Sequence, residues 1–203
     1  VEDAATASRD MVVRGAPLIG VTTAYGVALA LREHPGDGSL AAAIEQLVAT
    51  RPTAVNLRWA AERMRRTVAT MPPAERAARA YAEAAAIAEE DVASCAAIGR
   101  HGLNLLRDLA HGQGGERINV LTHCNAGWLA CVDWGTALAP VYAAHEAGLP
   151  VHVYVDGAFN TVTAERARER AVAIDAAVGE GHDAGPLAGV PIAVGYQSGS
   201  HYS

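Results

Sequence analysis

An imidazole, a thiol and a carboxamide stand side by side in Leu121-Thr-His-Cys-Asn-Ala-Gly127. The run follows an apolar, strand-like segment, Arg117 to Val120, and precedes a helix-like one. The three groups therefore fall where a parallel strand would end, which is where ligands bind in open α/β sheets. A thiol there can act as nucleophile, acid/base or metal ligand once its pKa is lowered. No second Cys or His stands at ligand spacing to Cys124, so metal binding ranks last. Strand alternation would turn His123 away from Cys124, so a Cys–His nucleophile pair is not implied.

Upstream, Arg14-Gly-Ala-Pro17 has the character of an anion clamp. Arginine offers fixed, always-charged donors to a phosphate. Gly15 lets backbone N–H groups approach an anion, and a helix opening near Pro17 adds the positive end of its dipole. Taken alone, these residues read more simply as a helix-start turn with a surface Arg. Arg51 is held extended by Pro52 and is either a second arm on the anion or a solvated loop charge. Cys95 and Cys131 read as small buried hydrophobes. Asp133 reads as the N-cap of the helix that follows, and Asp156 as a strand-end carboxylate that binds sugar hydroxyls or closes a turn.

These residues need a scaffold to hold them. Helices are expected over Leu18–Arg32, Leu40–Ala49, Thr53–Ala69 and Pro73 to about His111, with Gly99 and Gly102 permitting close packing on the last. His111–Gly115 is a loop. Ile118–Thr122 and Val151–Val155 read as parallel strands joined by a helix over Gly135–Ala147, which Gly148 and Pro150 stop. Beyond Asp156, an amphipathic helix over Thr163–Val178 and a strand over Leu187–Val194 are expected. The fold class is α/β: a helical N-terminal subdomain (1–112), a partial Rossmann-like βαβ core (113–156) and a tail (157–203).

Composition narrows the function. A chain of 203 residues can bury a real core, and a single Phe with a formal charge of -6 argues against nucleic acid or an anionic membrane. No apolar run reaches the roughly 18 residues needed to span a bilayer. No signal peptide is visible, although a chain without an initiator Met can lack its true beginning. Three cysteines without a CxxC suit a reducing cytoplasm better than disulfides or zinc.

Met11-Val-Val-Arg-Gly-Ala-Pro-Leu-Ile-Gly20, Ala24-Tyr-Gly-Val27, Arg51-Pro-Thr-Ala-Val-Asn-Leu57, Leu121 to Leu129 and Asp133-Trp-Gly-Thr136 together resemble the S-methyl-5-thioribose-1-phosphate isomerase family, over about residues 5–156. That family includes relatives of the regulatory subunits of an initiation-factor exchange complex. The resemblance implies aldose–ketose isomerisation of S-methyl-5-thio-ribose 1-phosphate in methionine salvage, by a cytoplasmic homodimer without cofactor or metal. It implies that Arg14, Gly15, Ala16 and Arg51 meet the phosphate and that Cys124 is one of two key catalytic groups. The family's catalytic Asp is not found after Asp156, so an incomplete chain of little turnover, or a noncatalytic binding relative, is also expected. Residues of about 157–194 resemble an early segment of amidase-signature hydrolases, with Gly195 where that family's Lys would stand. A joining of two unrelated genes near Asp156 is the corresponding expectation.

Overall fold

The computed structural model describes residues 1–112, 114, 117–124 and 126–156; the expected helix over Thr163–Val178 and strand over Leu187–Val194 lie outside them. Described in chain order are α1 (Glu2–Arg9), α2 (Ala16–Glu33), α3 (Asp37–Thr50), α4 (Val55–Val68), α5 (Pro73–Gly112), β1 (Ile118–His123), a single 3-10 turn (Trp128–Ala130), α6 (Ala139–Glu146) and β2 (Val151–Asp156). The chain is α/β, mostly helical with a small parallel sheet. It divides into two compact units. One holds Val1–Ala97 with Gly127–Thr136, and the other holds the described residues of Ile98–Ala126 and Ala137–Ser203.

The first unit is a helical cluster built from small residues. Ala24, Ala28, Ala80 and Ala84 are buried among Val27, Leu31, Leu47, Met64 and Val68. Each of these larger side chains contributes about 1.5–3 kcal/mol on burial. Alanine and glycine let the helix axes approach, since a Cβ at Gly26 would sit 3.0 Å from Leu47 Cδ1. α2 is apolar on most sides because α1, α3 and α4 all pack against it.

Buried charges fasten the helix ends. Arg76 donates from Nε to the Met71 carbonyl at 3.0 Å and from Nη1 to the Pro35 carbonyl at 3.1 Å and Asp37 at 2.6 Å. One guanidinium thereby ties the start of α3 to the start of α5. Arg63 of α4 pairs with the buried Glu83 at 2.7 Å and, through both terminal nitrogens, with Glu90 at 2.6 and 2.7 Å. Such forked contacts fix geometry as well as adding energy.

In the second unit β1 and β2 pair in parallel, with Ile118 opposite Val151 and His123 opposite Asp156. Among the described residues this is a two-stranded sheet. The β1 side chains alternate: Ile118 and Thr122 are buried and Val120 half-buried on one face, while Asn119, Leu121 and His123 are exposed on the other. Gly99 and Gly102 of α5 do permit close packing. A Cβ at Gly99 would lie 3.3 Å from the Ala139 carbonyl oxygen, and one at Gly102 would overlap the Pro140 ring. α6 ends at Glu146, two residues ahead of Gly148, whose φ of +74° suits a glycine just past a helix.

Two expectations need correction. The connecting helix begins at Ala139 rather than Gly135, because Gly135 has φ +83° and Trp134 φ +67°, neither compatible with helix. Asp133 is consequently no N-cap. Its carboxylate instead accepts from the Trp128 indole N–H and, at 2.8 Å, from the Trp134 backbone N–H, bracing the loop after the 3-10 turn.

Candidate active site

Cys124 leaves β1 at the carboxyl end of the parallel pair. It is an exposed free thiol with φ +67°. A non-glycine residue in that region costs roughly 1–3 kcal/mol and recurs at functional positions. Next to it, His123 is exposed. The Thr122 hydroxyl is buried and finds no hydrogen-bond partner among the described residues. Nothing is described of Asn125 or of the Asp156 side chain.

The expected phosphate residues all belong to the first unit. Arg14 is half-buried and ends the connection between α1 and α2. Gly15 is the N-cap of α2, with φ -77° and ψ 142°, and Pro17 stands in the first turn as expected. Among the described residues no side chain caps that helix start. Arg51 closes α3 in an extended conformation, and its carbonyl accepts from the Ala54 N–H at 3.0 Å just before α4. Its Nη1 is buried and unpartnered among the described residues.

The first turns of α2 and α4 come together. A Cβ at Gly20 would lie 3.2 Å from the Asn56 carbonyl oxygen. Pro17, Val21, Val55, Asn56 and Trp59 line one cavity of about 440 Å³ with Ile87, Glu90, Asp91 and Ser94 of α5. Arg14 stands two residues ahead of α2 and Arg51 four residues ahead of α4, while Glu90 and Asp91 place carboxylates in the cavity itself. Neither Arg14 nor Arg51 is in the cavity wall.

Gly15 has a structural reason that spacing did not reveal. It is buried, and an added Cβ would fall onto the backbone of Ala130 in the 3-10 turn. The Arg14–Pro17 motif and the run after Gly127 therefore meet within one unit. Cys124 itself lies in the other unit.

Sequence reasoning also missed a cluster. Asp91, Cys95 and Cys131 present one donor atom each, all within 4.8 Å of one another. Both cysteines are buried, as expected of packing thiols, and burial pushes the Cys131 thiol up to about 12 and the Cys95 thiol upward too. The i,i+4 spacing of Asp91 and Cys95 on a helix was the available signal; Cys131 is too distant in sequence to be read with them.

A small parallel sheet ending in a strained thiol, preceded by a helical unit, defines an α/β chain. Residues 12–160 match the Initiation factor 2 subunit family, and the chain belongs to it. It is 64% identical over 156 residues to a methylthioribose-1-phosphate isomerase from Methylorubrum populi, covering 77% of this chain and 42% of that protein. The chain thus spans about two fifths of the length of the curated relative it matches. Among solved structures it resembles the delta subunit of the translation initiation factor eIF-2B from A. fulgidus, at 32% identity and TM-score 0.65 over 89% of this chain and 56% of the other. It also resembles 5-methylthioribose 1-phosphate isomerase from Pyrococcus horikoshii, at 28% identity and TM-score 0.64 over 86% of this chain and 54% of that one. The amidase likeness of residues 157–194 finds no support in these matches, and the family match itself runs past Asp156 to residue 160.

Proposed function

We propose that the chain carries part of the site of a methylthioribose-1-phosphate isomerase, with Arg14, Gly15, Ala16 and Arg51 on the substrate phosphate and Cys124 acting at the reacting carbons. The observation that carries this reading is Arg51, whose Nη1 is buried without an acceptor among the described residues. A buried charged donor left unsatisfied costs at least about 1–3 kcal/mol, so the position makes physical sense when an anion completes it. The strained, exposed Cys124 at the sheet edge supports the second half of the reading.

The chemistry explains these needs. In the substrate the phosphate hangs from the anomeric oxygen, so no reactive carbonyl exists until the ring opens. An acid must protonate the ring oxygen; hydrogen then passes from C2 to C1, and the C2 hydroxyl becomes the ketone. Clamping the phosphate orients C1 and C2 for that transfer, and a dry pocket protects the open form. A Rossmann-like continuation of the sheet, homodimer assembly and a cytoplasmic setting belong to the same reading.

The test is substrate binding and ketose-phosphate formation by the purified chain. Arg51→Met is expected to weaken binding of the sugar phosphate by about 10- to 150-fold, the worth of a charge-assisted hydrogen bond. Cys124→Ser is expected to abolish turnover while leaving binding intact. Unchanged affinity in Arg51→Met would refute the phosphate assignment. Binding by the parent without turnover would favour a noncatalytic relative, the reading to which the A. fulgidus likeness points.

A further inference from the structure

Cys95 and Cys131 are each almost wholly buried, at 1% and 2% exposure, and share their pocket with the carboxylate of Asp91. We propose that Asp91, Cys95 and Cys131 form a binding site for a soft divalent metal ion of the zinc class, separate from the sugar-phosphate reading.

The donor set is the first argument. Two thiolates and one carboxylate suit zinc or a metal of similar softness, and calcium or magnesium would instead require a shell of oxygens. Geometry is the second. Zinc bonds of about 2.3 Å to sulfur and 2.0–2.2 Å to oxygen place tetrahedral donors roughly 3.5–3.8 Å apart. The three donor atoms here lie within 4.8 Å of one another, so a contraction of about an ångström closes the cage.

Orientation is the third. Asp91 and Cys95 stand four residues apart on α5 and so share one face. Asp91 Oδ2 accepts the Val132 backbone N–H at 2.8 Å, while Oδ1 faces the Cys95 thiol at 3.9 Å. One oxygen is thus anchored by the neighbour of Cys131 and the other is turned towards the thiol. That is the outer-shell arrangement that fixes a metal-binding carboxylate. Asp91 also lines the 440 Å³ cavity, from which water can supply a fourth ligand. Binding is balanced by protons: the ion displaces one from each thiol, and two leave to solvent. A disulfide would use only the two sulfurs; the second carboxylate oxygen, turned towards Cys95, supplies the third donor that favours the ion.

The experiment is a titration of the reduced, metal-free full chain with Co²⁺, followed by displacement with Zn²⁺. One cobalt per chain is expected, with thiolate-to-cobalt charge-transfer absorption and the intense visible bands of a tetrahedral site. Cys95→Ser and Cys131→Ser should lose the charge-transfer band, Asp91→Asn should weaken binding about tenfold or more, and Cys124→Ser should retain it. Should a variant fail to fold by circular dichroism, alkylation mapping of the parent in enough urea to expose the buried thiols of the metal-free chain decides: zinc should protect Cys95 and Cys131 but not Cys124. Absence of the charge-transfer band in the parent, its persistence in Cys131→Ser, or its loss in Cys124→Ser would overturn the proposal. So would alkylation of Cys95 and Cys131 that zinc leaves unchanged at that urea concentration.

Discussion

Replacing Gly15 by Ala separates two explanations of that glycine. Its φ of -77° and ψ of 142° are open to any residue, so conformational freedom does not require glycine there. Space does. The new Cβ would stand 1.9 Å from the Ala130 Cα, against about 3.5–4.0 Å for carbons at rest. Backbone lies on both sides of the overlap, so no side chain can swing away. Overpacking costs about 1–3 kcal/mol, and this site belongs at the upper end. The opposing gain, from a stiffer unfolded chain, is only about 0.4–1 kcal/mol. A net loss of about 2–2.6 kcal/mol follows, which for a chain of this size lowers Tm by roughly 4–10 °C. Urea titration and calorimetry of the parent and Gly15→Ala measure it directly. A variant within about 0.5 kcal/mol of the parent would refute the packing argument. If such a variant also lost sugar-phosphate binding, the glycine would serve anion approach instead.

Gly102→Ala is expected to cost about 1–3 kcal/mol in the same titration, because its Cβ would overlap the rigid Pro140 ring. Gly38→Ala, in the first turn of α3 with nothing within 4 Å of the new methyl, should stabilise by about 0.5 kcal/mol. Met64→Ala should cost about 2–5 kcal/mol, since Met64 is fully buried in the helical core. In the metal-free chain, the Cys131 thiol is held protonated to about 12 by burial, whereas in the unfolded chain it ionises near its ordinary 9.0. The stability due to this group is therefore intact below pH 9 and is lost as pH rises from 9 towards 12. Denaturation midpoints across that range should fall in the parent and flatten in Cys131→Ala.

Local signals carried most of the fold. Pro17, Pro73, Gly148 and Pro150 mark helix boundaries because ring closure and the missing Cβ act on their own residues, and α2 to α5 begin and end within a few residues of where they should. The helix over Gly135–Ala147 was too long because a Trp in the left-handed region has no sequence signature; the Asp133 contacts help hold it there. The apolar Leu121 stands exposed on β1, which among the described residues has a partner strand on one side only. Burial of a strand residue depends on neighbours that its own segment does not encode.

The candidate site divides along the same line. Cys124, Arg14 and Arg51 could be singled out as candidates because residue type and position at a strand or helix end are both written in the sequence. What could not be read was which groups face one another across the chain. Gly15 seemed to stand bare for an anion, and it touches Ala130 more than a hundred residues later. Cys131 seemed a packing thiol, and it shares a pocket with Cys95 and an anchored carboxylate. Both surprises concern Gly127–Thr136, the segment that returns to the helical unit after β1. That return brings the stretch after Gly127 against the N-cap of α2, so packing at Gly15 sets the geometry of the helix start beside Arg14. A substitution on either side of the Gly15–Ala130 contact should therefore disturb phosphate affinity together with stability. Loss of one without the other would show that the two motifs act independently.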